Sequence, residues 1–142
     1  MTQRFVTFVL TVCLPVMLAA CGGTVAPVQP PAAPMDVVVT VRVADAEEYH
    51  NRLTDPDDIA TAQKLLAGQA APRIPNGRVV RGESDVNVGY SWHIDPATIE
   101  FTDLTTEVCD VRPSDVEQGL ITSDWCCPWS AIVVAMTLAQ SG

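Results

Sequence analysis

His93 and Asp95 have the residue types and the spacing for acid–base or metal chemistry. They lie in Tyr90-Ser91-Trp92-His93-Ile94-Asp95, where apolar and polar residues alternate. Period-two alternation marks a strand, so Tyr90, Trp92 and Ile94 face one way and Ser91, His93 and Asp95 the other. Residues two apart on one strand face have alpha carbons about 6.7 Å apart. An imidazole beside a carboxylate can serve as an oriented base, or the two can hold a metal ion. The same residues also read as the polar side of a half-buried strand, with Asp95 before Pro96 supplying turn chemistry. That plainer reading takes precedence. Ser91 adds a hydroxyl, but no nucleophile elbow surrounds it, so a Ser-His-Asp triad has no support. No catalytic set is assigned, and His93 and Asp95 are the nearest candidates. No cofactor or metal site is expected.

The remaining polar groups carry less. Glu100, Glu107 and Asp110 have no spacing that pairs two carboxylates, and they read as solvated acids. Asp55, Asp57 and Asp58 suggest part of a calcium loop, but the acid–acid–acid–glycine pattern is absent and helix capping accounts for them. Neither a phosphate loop nor a dinucleotide fingerprint is present. Trp125 and Trp129 flank two cysteines in a loop-like stretch. They read first as packing over a disulfide, with a binding surface as the alternative.

Several elements must position these groups. Val37-Val38-Val39-Thr40-Val41-Arg42-Val43 is a β-branched strand with Val37, Val39, Val41 and Val43 on its buried face. A weaker strand covers Tyr49 to Leu53. Asp55 is a good N-cap and Pro56 suits the first helical position. Ile59, Ala62, Leu65 and Leu66 recur at helical spacing, and Gly68 stops the run, so a helix is expected over 56–67. Pro72, Pro75 and Asn76-Gly77 make a loop and turn. Val79-Val80 is a short strand ending at Gly82. Ile99 to Val111 is strand-like with a break in phase near Asp103-Leu104, where a bend or bulge is expected. Pro113 to Glu117 opens a short helix. Trp129 to Leu138 is an apolar run too short to span a membrane. Its Ile132-Val133-Val134 suggests a strand buried on both faces and central in the sheet. The fold class is α+β: a small, mostly antiparallel sheet of about five strands with one or two helices, stapled by a disulfide.

Composition bounds the class of partner. The chain has 142 residues, 8 basic against 17 acidic, and a net charge of −9. Nucleic-acid binding needs a basic face and is excluded. The acids are scattered and read as a solvated surface. Arg4 precedes an uncharged apolar run from Phe5 to Ala20, which ends in Leu18-Ala19-Ala20-Cys21. This segment resembles a bacterial lipoprotein signal peptide. The resemblance implies that residues 1–20 are removed and that Cys21 is acylated, with palmitate-type chains holding it in the lipid bilayer. Gly22 follows, with no Asp to suggest inner-membrane retention in Gram-negative cells. Residues 21–35 are then a lipidated cysteine and a Pro-rich spacer carrying Pro27, Pro30, Pro31 and Pro34. Residues 36–142 form a single globular domain.

Of five cysteines, Cys13 leaves with the signal and Cys21 takes the lipid. Cys109, Cys126 and Cys127 remain in an oxidising space. One bridge between Cys109 and either neighbour is expected, worth roughly 3 kcal/mol. The third thiol reads first as buried and inert, with pairing to another molecule or a reactive thiol as the alternatives. Zinc is disfavoured, because only His50 and His93 are there to join the thiols and no Cys-x-x-Cys spacing exists. Four landmarks occur in order: Leu53-Thr54-Asp55-Pro56, Trp92-His93-Ile94-Asp95-Pro96, Glu107-Val108-Cys109-Asp110 and Cys127-Pro128-Trp129-Ser130. Together they resemble an uncharacterised family of small secreted domains. That resemblance implies a Cys109–Cys127 bridge, with the doubled Cys126 as the departure from the pattern.

The functional expectation is an envelope lipoprotein at the outer membrane or cell surface. Its domain acts as a binding module for another envelope protein or ligand, with the Trp125–Trp129 stretch as the candidate surface. The alternatives are a small hydrolase using His93 with nearby carboxylates, and a structural envelope component.

Overall fold

The computed structural model describes residues 35–105 and 108–140. Cys21, the apolar run before it and the Pro-rich spacer to residue 34 lie outside the described residues, as does Glu107.

The valine run forms strand β1, Val37–Val43, with Val39 and Val41 fully buried. Its partner β2 spans Glu47–Leu53 and pairs antiparallel from Val37↔Leu53 to Val43↔Glu47. Ala44 and Asp45 both have positive φ (52° and 57°), and Ala46 N–H donates to Val43 O at 3.1 Å. Two left-handed residues at a hairpin tip are the type I′ geometry, whose twist matches the flanking strands. The tight turn extends the pairing outward, so β2 starts at Glu47 instead of Tyr49.

Strand β7, Ala131–Leu138, lies on the other side of β1 in the order β2-β1-β7. The expectation that it is central is therefore wrong. An apolar run shows that a strand is attractive to a core but not how many neighbours it has. Here β1 takes the centre, and Ile132 and Leu138 remain 46% and 63% exposed. The β1–β7 register shifts between Thr40 and Val41, as a bulge does.

A second sheet is organised by β3, Ile74–Arg81. Successive parts of β3 pair antiparallel with β5 (Glu100–Thr102), β6 (Trp125–Cys126) and β4 (Trp92–Ile94). The loop and turn expected at Pro75 and Asn76-Gly77 are thus strand interior. Gly77 serves close packing here, because a Cβ on it would run into Ile94 Cγ2. The strand expected over 99–111 shrinks to β5. It ends where Leu104 N–H donates to Thr102 Oγ1 at 3.2 Å and Thr102 O–H donates back to Leu104 O at 2.6 Å. This local hydroxyl turn competes with the ladder.

Helix α1 spans Pro56–Leu66, with Asp55 Oδ1 accepting from Asp57 N–H at 2.8 Å, and Gly68 (φ 70°) lies just past its end. Helix α2 spans Pro113–Glu117. Among the described residues the fold is α+β, with seven strands in two antiparallel sheets, two α-helices and one disulfide. The count exceeds the expected five because β4, β5 and β6 are only two or three residues long. Tyr49, Trp92 and the inner valines of β1 share one core with Ile94, Val116 and Cys126.

Candidate functional site

His93 sits on β4 between the buried Trp92 and Ile94. Its Nδ1 lies 3.3 Å from Gly82 O. Asp95 is not its partner: no hydrogen bond or ion pair joins the two among the described residues. Asp95 Oδ1 accepts from Ala97 N–H at 3.0 Å and caps the 3-10 turn Pro96–Thr98. Its own N–H donates to Arg78 O at 2.9 Å. The turn chemistry of Asp-Pro therefore accounts for Asp95. Ser91 N–H donates to Glu117 Oε2 at 2.9 Å, and among the described residues its hydroxyl meets no base.

The structure groups His93 with a different residue. Strand β2 carries His50 and Arg52 on the face opposite the buried Tyr49, Asn51 and Leu53. His50, Arg52, Asp85 and His93 line one pocket of about 140 Å³. Asn87 holds this arrangement together. It is fully buried, its Oδ1 accepts from His50 N–H at 2.9 Å, and its Nδ2 donates to Trp92 O at 3.0 Å. One amide thus ties the outer edge of β2 to β4. Ser84 Oγ accepts from Asn87 N–H at 3.0 Å and Val86 N–H at 3.1 Å, folding the loop over that edge. Sequence reasoning passed over Asn87 and named His50 only as a possible companion of the thiols. Neither lies in a motif, and only the packing of the two sheets brings them to His93. Arg52 is already answered by Asp85 at 2.6 Å and Asp36 at 3.6 Å. Among the described residues no three ligating side chains form a metal cluster.

The second locus surrounds the cysteines. Cys109 and Cys127 are bridged, with alpha carbons 5.0 Å apart. Cys127 N–H also donates to Cys109 O at 2.8 Å. Cys126 is a buried free thiol, and burial first, then the charge of Asp110, pushes its pKa up to about 12. A thiol so placed is inert near neutrality. The two tryptophans part company. Trp125, on β6, packs against Ile74 and the bridged cysteines. Trp129 is 52% exposed, and its N–H donates to Asp110 Oδ1 at 2.9 Å. With Leu104, Ile74, Arg73 and Asp103 it lines a second pocket of about 170 Å³. Leu104 and Val108 are 85% and 79% exposed. Of the candidate surface, Trp125 is therefore the disulfide cover and Trp129 the exposed member. Leu104, which sequence reasoning treated as a break in strand phase, joins it.

The family model of the BP-74 N-terminal domain matches residues 35–139. The chain belongs to this family. The BP-74 N-terminal domain match runs through both sheets, both helices, the disulfide and both pockets. No curated protein and no solved structure matches the chain.

Proposed function

We propose that the chain is an exported lipoprotein, anchored in the bilayer through acylated Cys21, and that its domain is a binding module for another envelope protein. The observation that carries the binding reading is the exposure of Leu104, Val108 and Trp129 beside the disulfide. Single apolar side chains scattered on a surface mean little, but Leu104 and Trp129 line one pocket, and large apolar groups so placed suit a partner. The bridge Cys109–Cys127 and the Asp110–Trp129 hydrogen bond restrain the backbone under this patch. Pre-ordering of that kind lowers the entropic cost of binding. Arg73 and Asp103 on the rim have no ion-pair partner among the described residues and are available to polar groups of the partner. Support for the anchor is the run from Arg4 to Leu18-Ala19-Ala20-Cys21 and the Pro-rich spacer behind it. A hydrolase built on His93 with nearby carboxylates is not favoured, because Asp95 is spent on its cap and Asp85 is paired with Arg52.

The test is in-cell cross-linking of the full chain, followed by identification of the cross-linked protein. Trp129→Ala combined with Leu104→Ser is expected to abolish the cross-link while thermal unfolding stays nearly unchanged. Cys21→Ser is expected to move the chain out of the membrane fraction. An unaltered cross-link in the double variant sinks the binding surface, and a membrane-bound Cys21→Ser chain sinks the anchor.

A further inference from the structure

The chain has two histidines, and both line the same pocket. We infer that this pocket binds a borderline divalent metal ion of the zinc class through the His50 and His93 imidazoles, at a site open to water or to a ligand from outside.

The geometry comes first. The single carboxamide of Asn87 bridges His50 N–H and the carbonyl of Trp92, the residue before His93. The two backbones are therefore one amide group apart, and both histidine side chains line the same pocket. The tautomer of His93 comes next. Gly82 O only accepts, so Nδ1 carries the proton and Nε2 keeps its lone pair. A backbone carbonyl holding the other ring nitrogen is the usual support for a metal-ligating histidine. The His50 ring has no hydrogen-bond or ion-pair partner among the described residues, so its lone pair is uncommitted.

Electrostatics then choose a cation over an anion. Arg52 is the positive side chain of the pocket, and Asp36 and Asp85 already answer its charge. An anion finds no surplus positive charge there. A cation is drawn instead to a chain of net charge −9. Imidazole ligands select zinc, copper or nickel over calcium and magnesium. Val86, Ile94 and Pro96 supply the apolar part of the pocket wall. Asp85, the carboxylate that lines the pocket, is paired with Arg52, so the chain supplies two ligands and the remaining positions stay open.

The experiment is a titration of the full chain with zinc chloride, reading the histidine ring resonances by NMR and the heat by calorimetry. The expected result is saturable binding in which both rings respond together, with calcium leaving them unmoved. His50→Ala and His93→Gln are each expected to weaken that binding by at least about ten-fold. His50→Ala keeps the backbone N–H that Asn87 accepts, and thermal unfolding checks each fold. If one variant fails to fold, the other variant and the joint ring response of the unaltered chain decide. Rings that do not respond to zinc, a response from one ring alone, or unchanged affinity in a folded variant overturns the proposal. So does inorganic phosphate shifting the rings where zinc does not.

Discussion

Cys126 and Asn87 are buried side chains with opposite requirements. The Cys126 thiol must stay protonated. Its pKa rises from the ordinary 9.0 to about 12 because burial disfavours the thiolate. The folded state therefore holds this proton at pH values where the unfolded chain has lost it. The resulting stability is fully present below about 9 and is lost as pH climbs through about 12. Tyr49, fully buried, is raised in the same direction, chiefly by desolvation. Stability should fall as pH rises from about 9 towards about 12, and Cys126→Ala should flatten that fall. Urea midpoints across this range check it, and an unchanged slope in the variant refutes it. The Asn87 amide must stay paired. Asn87→Ala would leave both His50 N–H and Trp92 O without this partner, at a cost of about 2–4 kcal/mol. Denaturant unfolding at constant slope measures this. The Asn87 role was not visible in the sequence, where it is one polar residue in a polar loop. A buried, inert third thiol was expected, but the residues alone left open whether it was Cys126 or Cys127.

Strands and turns show which local signals survive packing. The Asp55-Pro56 helix start was legible because capping is settled within one turn of backbone. The valine alternation of β1 was legible because period two needs no knowledge of neighbours. Asn76-Gly77 misled for the opposite reason. Read alone it is turn chemistry, yet β3 runs straight through it because the Ile94 side chain needs the missing Cβ. Gly77→Ala should therefore destabilise the chain by about 1–3 kcal/mol by overpacking. At the hairpin tip the same kind of exchange has the reverse sign. Ala44 holds φ 52°, a region that costs a side chain, so Ala44→Gly should gain about 0.5–1 kcal/mol. Thermal unfolding of the two variants should shift in opposite directions. A matching sign would show that one of the two backbone arguments is wrong.

At the scale of the whole domain the disulfide is the long-range tie. It joins the segment after β5 to the one after β6, with 18 residues of separation. Reduction, or Cys127→Ser, should cost roughly 3 kcal/mol in the chain-entropy model. It should also free the Trp129 loop, raising its hydrogen-exchange rate before that of β1. Loss of exchange protection at β1 first would contradict that order. By itself the sequence determined the α+β class, helix α1, the inner face of β1 and the capping role available to Asp55. These rest on periodicity, caps and proline geometry, all local to a few residues. Only the tertiary structure decided that β1 is central and β7 an edge, that Trp125 is buried while Trp129 is exposed, and that His93 shares its pocket with His50 while Asp95 caps a turn. Each of those depends on which distant segment takes up the free side of an element. Hydrophobic pattern and spacing carry no record of that neighbour, because burial is a property of the assembled surfaces and not of the residue.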